Sequence, residues 1–164
     1  MPRFSATLRA LHEGRVDFIL VGGLSAVLNG VPAHTYDVDI VHSRDPENVE
    51  RLLPVLESLD TVFRIQPERR LKPTATHLSE TGHLNLTTRF GLLDLLGMIG
   101  PDLCYRELLP HSSEMDIGGG VHIRVLNLDK LIAIKEELAG EKDLAMLPLL
   151  RRTLEEKRKA GRTK

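Results

Sequence analysis

Three carboxylates lie in stretches that otherwise read as buried. Asp37 and Asp39 sit within Tyr36-Asp37-Val38-Asp39-Ile40-Val41, and Asp94 sits within Gly91-Leu92-Leu93-Asp94-Leu95-Leu96. A buried carboxylate needs a partner, because removing an ionised group from water is costly. Side chains alternate across a strand, so Asp37 and Asp39 share one face while Val38 and Ile40 take the other. Two like charges held so close raise each other's pKa unless a cation neutralises them, and hard oxygen donors of this kind suit Mg²⁺ or Mn²⁺. A third acid from a neighbouring strand would complete such a site, and Asp94 is the candidate. A solvated strand face is the alternative for the Asp-x-Asp pair taken alone.

Upstream, Gly22-Gly23 ends an apolar run and opens a short helical pattern. Paired glycines there let backbone N–H groups approach phosphate oxygens, and a helix N-terminus favours negative charge. Ser25, in the first turn, either donates to a phosphate or satisfies a free backbone group. Lys135 would neutralise a triphosphate unless it is merely solvated. Lys142 and Asp143 offer a similar choice between phosphate contact and a surface ion pair. His34 either contacts substrate or caps a loop, and the histidines have no zinc-like clustering. Gly118-Gly119-Gly120 lacks the Lys-Ser/Thr of a phosphate loop and reads as a turn.

The elements that must position these residues follow from periodicity. Phe4, Leu8 and Leu11 predict a first helix ending near Gly14, followed by a buried strand over Val16 to Val21. A short helix then closes at Asn29-Gly30, and a second strand covers Tyr36 to His42. Asp45-Pro46-Glu47 predicts a capped helix start, with the helix running to about Leu59. Between Thr61 and Glu80 the pattern weakens to irregular chain or an edge strand with a mobile loop. Strands are expected at His83 to Thr87 and Leu92 to Met98, and a hairpin is expected around the triple glycine. Asn127 caps a helix to about Leu138, and a last helix passes Leu150, with Pro148 positioned to kink or divide it. The order predicts an α+β domain with a mixed β-sheet flanked by helices.

The chain has 164 residues, a length that suits a single core, here residues 1–150 with a basic helix end or tail at 151–164. That tail carries seven basic and two acidic side chains, about +5, against about −6 for the remainder of a chain whose formal net charge is −1. It reads as a solvated helix end, with RNA or an acidic partner as the functional alternative. No apolar run approaches the ~20 residues of a membrane span, and the first residues lack the pattern of a secretory signal. Cys104 is the only cysteine, so a cytoplasmic setting is expected.

Gly22-Gly23 and Asp37-x-Asp39, with thirteen residues between Gly23 and Asp37, resemble the signature of the nucleotidyltransferase superfamily that includes DNA polymerase β. The segment from Phe18 to Ile40 is similar to the bacterial minimal nucleotidyltransferases and to the related abortive-infection-type toxin nucleotidyltransferases. Asp94, Leu131-Ile132-Ala133-Ile134-Lys135 and Lys142-Asp143 extend the likeness to about Val16 through Leu150. The sequence departs from the pattern at His34, where a basic residue such as Arg is common, and at Met146, where an acid is frequent.

The resemblance implies a nucleotidyltransferase fold in which Asp37, Asp39 and Asp94 bind two divalent metals and carry catalysis. Gly22, Gly23, Ser25 and Lys135 would bind a nucleoside triphosphate. It further implies transfer of a nucleoside monophosphate to a protein or RNA hydroxyl, with Asp94 helping to activate that hydroxyl and pyrophosphate leaving. A toxin–antitoxin role with a cognate partner protein, or an acceptor cleft in a homodimer, fits the same likeness. The rival reading is a non-catalytic binding or interaction module on the same fold.

Overall fold

A computed structural model of the chain describes residues 3–138 and 140–162, without the side chain of Lys142. In chain order the helices are α1 (Phe4–Glu13), α2 (Gly22–Leu28), α3 (Pro46–Ser58), α4 (Ala75–Ser79), α5 (Tyr105–Leu108), α6 (Leu128–Glu137) and α7 (Glu141–Arg162). The strands are β1 (Phe18–Val21), β2 (Asp37–His42), β3 (Val62–Phe63), β4 (His83–Thr88), β5 (Gly91–Leu96), β6 (Ser112–Asp116) and β7 (His122–Leu126). The described strands form one mixed sheet in the order β3-β4-β5-β2-β1-β7-β6. The β2–β5 and β1–β7 pairs are parallel, and the other neighbours are antiparallel.

Alternation along the central strands divides the core into two layers, because successive side chains leave opposite faces of the sheet. Leu20, Val38, Ile40, Leu93 and Leu95 pack with Leu8 and Leu11 of α1, Leu52 and Leu56 of α3, and Leu78 of α4. Ile19, Val21 and Val41 take the other face, with Ala26 of α2, Leu131 of α6, and Leu147 and Leu150 of α7. Helices therefore flank both faces of an α+β sheet, as the pattern predicts.

Two expected N-caps need correction, and two other segments are defined more closely. Asp45 and Asn127 stand at the N-caps of α3 and α6, yet neither side chain makes a capping hydrogen bond. The Asn127 carboxamide oxygen instead accepts from Ser113 Oγ at 2.5 Å. The segment from Thr61 to Glu80 contains an edge strand, β3, as one of the two readings expects, and also the short helix α4. Helix α4 starts with a capping box in which Thr74 accepts from the His77 N–H while the His77 ring accepts from the Thr74 N–H. Pro148 lies inside α7 without dividing it. The helix continues into the basic segment, where Thr153 is buried and Lys157 Nζ donates to Asn29 Oδ1 at 3.0 Å. None of the described helices is long and apolar enough to cross a membrane.

Candidate functional site

Strand β2 lies between β5 and β1, so Asp39 has a neighbour on each side. It pairs with Asp94 across the parallel β2–β5 ladder and with Val21 across the antiparallel β1–β2 ladder. Asp37, two residues before Asp39, shares its face. One carboxylate oxygen from each of Asp37, Asp39 and Asp94 lies within 4.8 Å of the others. The structure thus brings together the three acids that the sequence singles out.

The β1-to-α2 turn closes against this cluster. Gly22 has φ +66°, and a Cβ placed on it would collide with the Asp39 carboxylate. Glycine is required there for two reasons, the left-handed backbone and the space taken by Asp39. A Cβ on Gly23 would stand 2.9 Å from Thr35 Oγ1. Thr35 Oγ1 lies 3.3 Å from both the Asp37 carbonyl and Asp37 Oδ1, where it can orient that carboxylate. The first-turn N–H groups of α2 have no acceptor within the helix. Ser25 is fully buried, and its hydroxyl donates to the Gly22 carbonyl at 2.7 Å. In this structure the hydroxyl is therefore engaged within the turn.

A cavity of about 360 Å³ opens beside the acids. Gly22, Asp39, His83, Lys135 and Asp143 form its polar side, and Leu96, Ile99, Leu126, Leu131, Ile134 and Leu138 its apolar side. Lys135 reaches the cavity because α6 packs against both α2 and α7. Its Nζ lies 2.7 Å from Asp143 Oδ1, so Asp143 partners Lys135 across the α6–α7 junction. His34 is exposed at the rim of the preceding loop.

Two further groups touch Asp94. Arg64 Nη2 donates to Asp94 Oδ1 at 2.8 Å, and His83 Nε2 stands 3.8 Å from Asp94 Oδ2. The sequence does not reveal them. His83 meets Asp94 only through the β4–β5 register, which sets Asn85 opposite Asp94 and His83 one alternation away. Arg64 follows a two-residue strand in a segment with little periodicity. The one available signal is the period-2 repeat His83-x-Asn85, which leaves polar side chains on one face of a strand.

Electrostatics separate the acids. Burial, then the charge of Asp37, pushes the Asp39 carboxyl up to about 7 from 3.8. Burial and the charge of Asp94 also raise Asp37. Burial pushes Asp94 up as well, but the neighbouring His83 ring, the Asp39 carboxyl and the Arg64 guanidinium outweigh it and hold this carboxyl below its ordinary value. The donor set fits a divalent cation, since it comprises convergent hard oxygens whose mutual repulsion a cation would relieve.

A pH dependence follows. Between about pH 4 and about 7 the folded chain keeps a proton on Asp39 that the unfolded chain has lost, so metal-free stability falls as pH rises through that window. A cation must displace that proton, so its affinity rises over the same interval. Thermal unfolding with and without Mg²⁺ should show almost no difference near pH 5 and the largest stabilisation near pH 8. An equal effect at both pH values would contradict the assignment.

No protein-family model matches the sequence, and no curated protein matches it. Solved structures do. A Thermotoga maritima protein proposed to be a nucleotidyltransferase, TM1012, superposes with a TM-score of 0.58 at 17% identity, covering 93% of this chain and 91% of that one. The lincosamide antibiotic adenylyltransferase LnuA, solved with lincomycin bound, gives 0.58 at 13% identity over 90% of this chain and 94% of its own. ANT(2'')-Ia in complex with adenylyl-2''-tobramycin gives 0.57 at 16% identity over 92% and 87%.

Proposed function

We propose, for a chain with the nucleotidyltransferase fold, that it transfers a nucleoside monophosphate from a nucleoside triphosphate to a hydroxyl on a protein or RNA acceptor. One observation carries the proposal. The carboxylates of Asp37, Asp39 and Asp94 converge on one face of the sheet, and Asp39 also stands against the Gly22 turn and lines a largely apolar cavity. An apolar wall suits a nucleobase, and a lysine with free helix N–H groups suits phosphates.

In this reading Asp37, Asp39 and Asp94 hold divalent cations, Mg²⁺ or Mn²⁺. When bound, such cations neutralise the triphosphate and stabilise the attacking and departing oxygens. The backbone of Gly22 and Gly23 approaches the phosphates, with Ser25 acting indirectly by fixing the Gly22 carbonyl. Lys135 exchanges its bond with Asp143 for one with the triphosphate, which is a stronger anion. Asp94 is ionised, held so by His83, Asp39 and Arg64, and in this reading it takes the proton of the acceptor hydroxyl only as that oxygen bonds to phosphorus. The acceptor oxygen then forms a bond to the α-phosphorus, and the bond to pyrophosphate breaks. No covalent enzyme intermediate is needed.

Sequence likeness to the abortive-infection-type toxins supports, as an extension of this proposal, a toxin–antitoxin pair with a cognate partner protein. The test is to incubate the chain with Mg²⁺, each α-³²P-labelled triphosphate and a cell extract. Label should enter a macromolecule sensitive to either protease or ribonuclease, and Asp94→Asn should abolish the incorporation. Equal labelling by wild type and Asp94→Asn would contradict the proposal.

A further inference from the structure

Asn29 closes α2, is buried, and has both ends of its carboxamide engaged. Its Nδ2 donates to the Ser25 carbonyl at 2.8 Å and to the Leu126 carbonyl at 3.0 Å, while its Oδ1 accepts from Lys157 Nζ at 3.0 Å. One side chain therefore joins α2, the end of β7 and the basic end of α7. The contacts continue toward the acids. Ser25 is fully buried, and its hydroxyl donates to the Gly22 carbonyl at 2.7 Å. Gly22 in turn stands where a Cβ would collide with the Asp39 carboxylate. An unbroken series of contacts runs from Lys157 through Asn29 and Ser25 to the Gly22 turn.

We propose that Lys157 and Asn29 are positioning residues for that turn: the basic end of α7 clamps the C-terminal end of α2 and so holds the Gly22-Gly23 backbone in place. The inference rests on the turn receiving the triphosphate, as proposed above. A buried amide oxygen left without a donor is costly. Without the Lys157 ammonium, the Asn29 carboxamide must turn toward water and give up its bond to Ser25 or to Leu126. Helix α2 has only seven residues, too few to hold its shape unaided, so its first turn depends on how its far end is tied. A turn that is correctly placed for only part of the time lowers the apparent affinity by that fraction. The basic helix end in this way serves the domain's own site.

The experiment is isothermal titration calorimetry of the full chain with inorganic tripolyphosphate in excess Mg²⁺, a probe that addresses the turn and carries no base. Lys157→Met keeps the aliphatic stem and removes the ammonium, and it should weaken binding about fivefold, within the range for a perturbed contact network. Lys157→Arg, which keeps a charged donor, should bind as wild type does. So should Arg158→Met, which removes the next charge along the helix. Asn29→Ala should weaken binding at least as much as Lys157→Met, and combining the two should change nothing further. Unchanged affinity in Lys157→Met, whatever its melting temperature, or an equal loss in Arg158→Met, would overturn the inference while leaving the phosphate reading of the turn standing. No binding by wild type would overturn both. Lys157→Met decides the matter even if Asn29→Ala does not fold.

Discussion

Replacing Asp39 with asparagine is expected to cut nucleotide transfer on the order of 10³-fold, since cation chemistry at such sites supplies several kcal/mol and each 1.36 kcal/mol is tenfold. The same change is expected to raise the melting temperature of the metal-free protein by a few degrees at pH 8. Both effects have one cause. Burial and the charge of Asp37 oppose ionisation of Asp39, so above pH 7 the empty site holds repelling carboxylates that a cation would relieve. Asparagine has nearly the same shape without the charge, so it removes the repulsion together with the proposed cation ligand. Activity and stability therefore move in opposite directions. A structural acid would give the reverse stability change, because its loss would leave a hydrogen-bond partner unsatisfied. Turnover assays and thermal melts in EDTA check the two signs.

Gly22→Ala is expected to lower stability by about 1–3 kcal/mol, the usual cost of a non-glycine residue in a strained left-handed conformation. It should also cut turnover by about 10²-fold, because a displacement near 1 Å at a reacting centre costs that much. The added methyl would collide with the Asp39 carboxylate, so either Asp39 swings away from Asp94 or the turn opens. Gly30→Ala is the control. Its φ is +95°, but its Cβ would meet only Thr153 Cγ2, at 4.0 Å. It should carry a backbone cost of the same kind with wild-type turnover. Urea unfolding and steady-state kinetics on both variants separate the contributions.

Much of the architecture is legible because the layers depend on local periodicity. The apolar runs before Gly22 and around Asp94 read as buried strands, and they are β1 and β5 in the centre of the sheet. The Asp37-x-Asp39 alternation reads as two acids on one face, since a strand's period is fixed. Asp94 stands out in sequence only as an acid in an apolar run. Its place opposite Asp39 depends on β2 pairing with β5, a choice made by tertiary packing between distant segments. Arg64 and His83 are harder still, because each acquires meaning only from the β3-β4-β5 order. Helix α4 is illegible for a different reason. Of its five residues only Leu78 is buried, which leaves no periodicity to detect, and its capping box uses His77 where Glu or Gln is usual. At Asp45 and Asn127 the residue type marks the helix start correctly, but the side chains are not used as caps. Ser25 shows the same ambiguity. A first-turn serine beside glycines is compatible with binding phosphate or closing a turn, and its burial and its bond to Gly22 are visible only in the structure.

The central claim is that Asp37 and Asp39 form a cation-dependent site for a nucleoside triphosphate. Thermal unfolding of wild type and of the Asp37→Asn/Asp39→Asn double variant, with Mg²⁺ and each of ATP, GTP, CTP and UTP, tests it most directly, because a ligand of the native state must raise the midpoint. The account predicts a rise that requires Mg²⁺, occurs with at least one nucleotide, and is seen in wild type alone. No shift with any nucleotide, or an equal shift in the double variant, would contradict it and leave a nucleotidyltransferase-like scaffold without the chemistry.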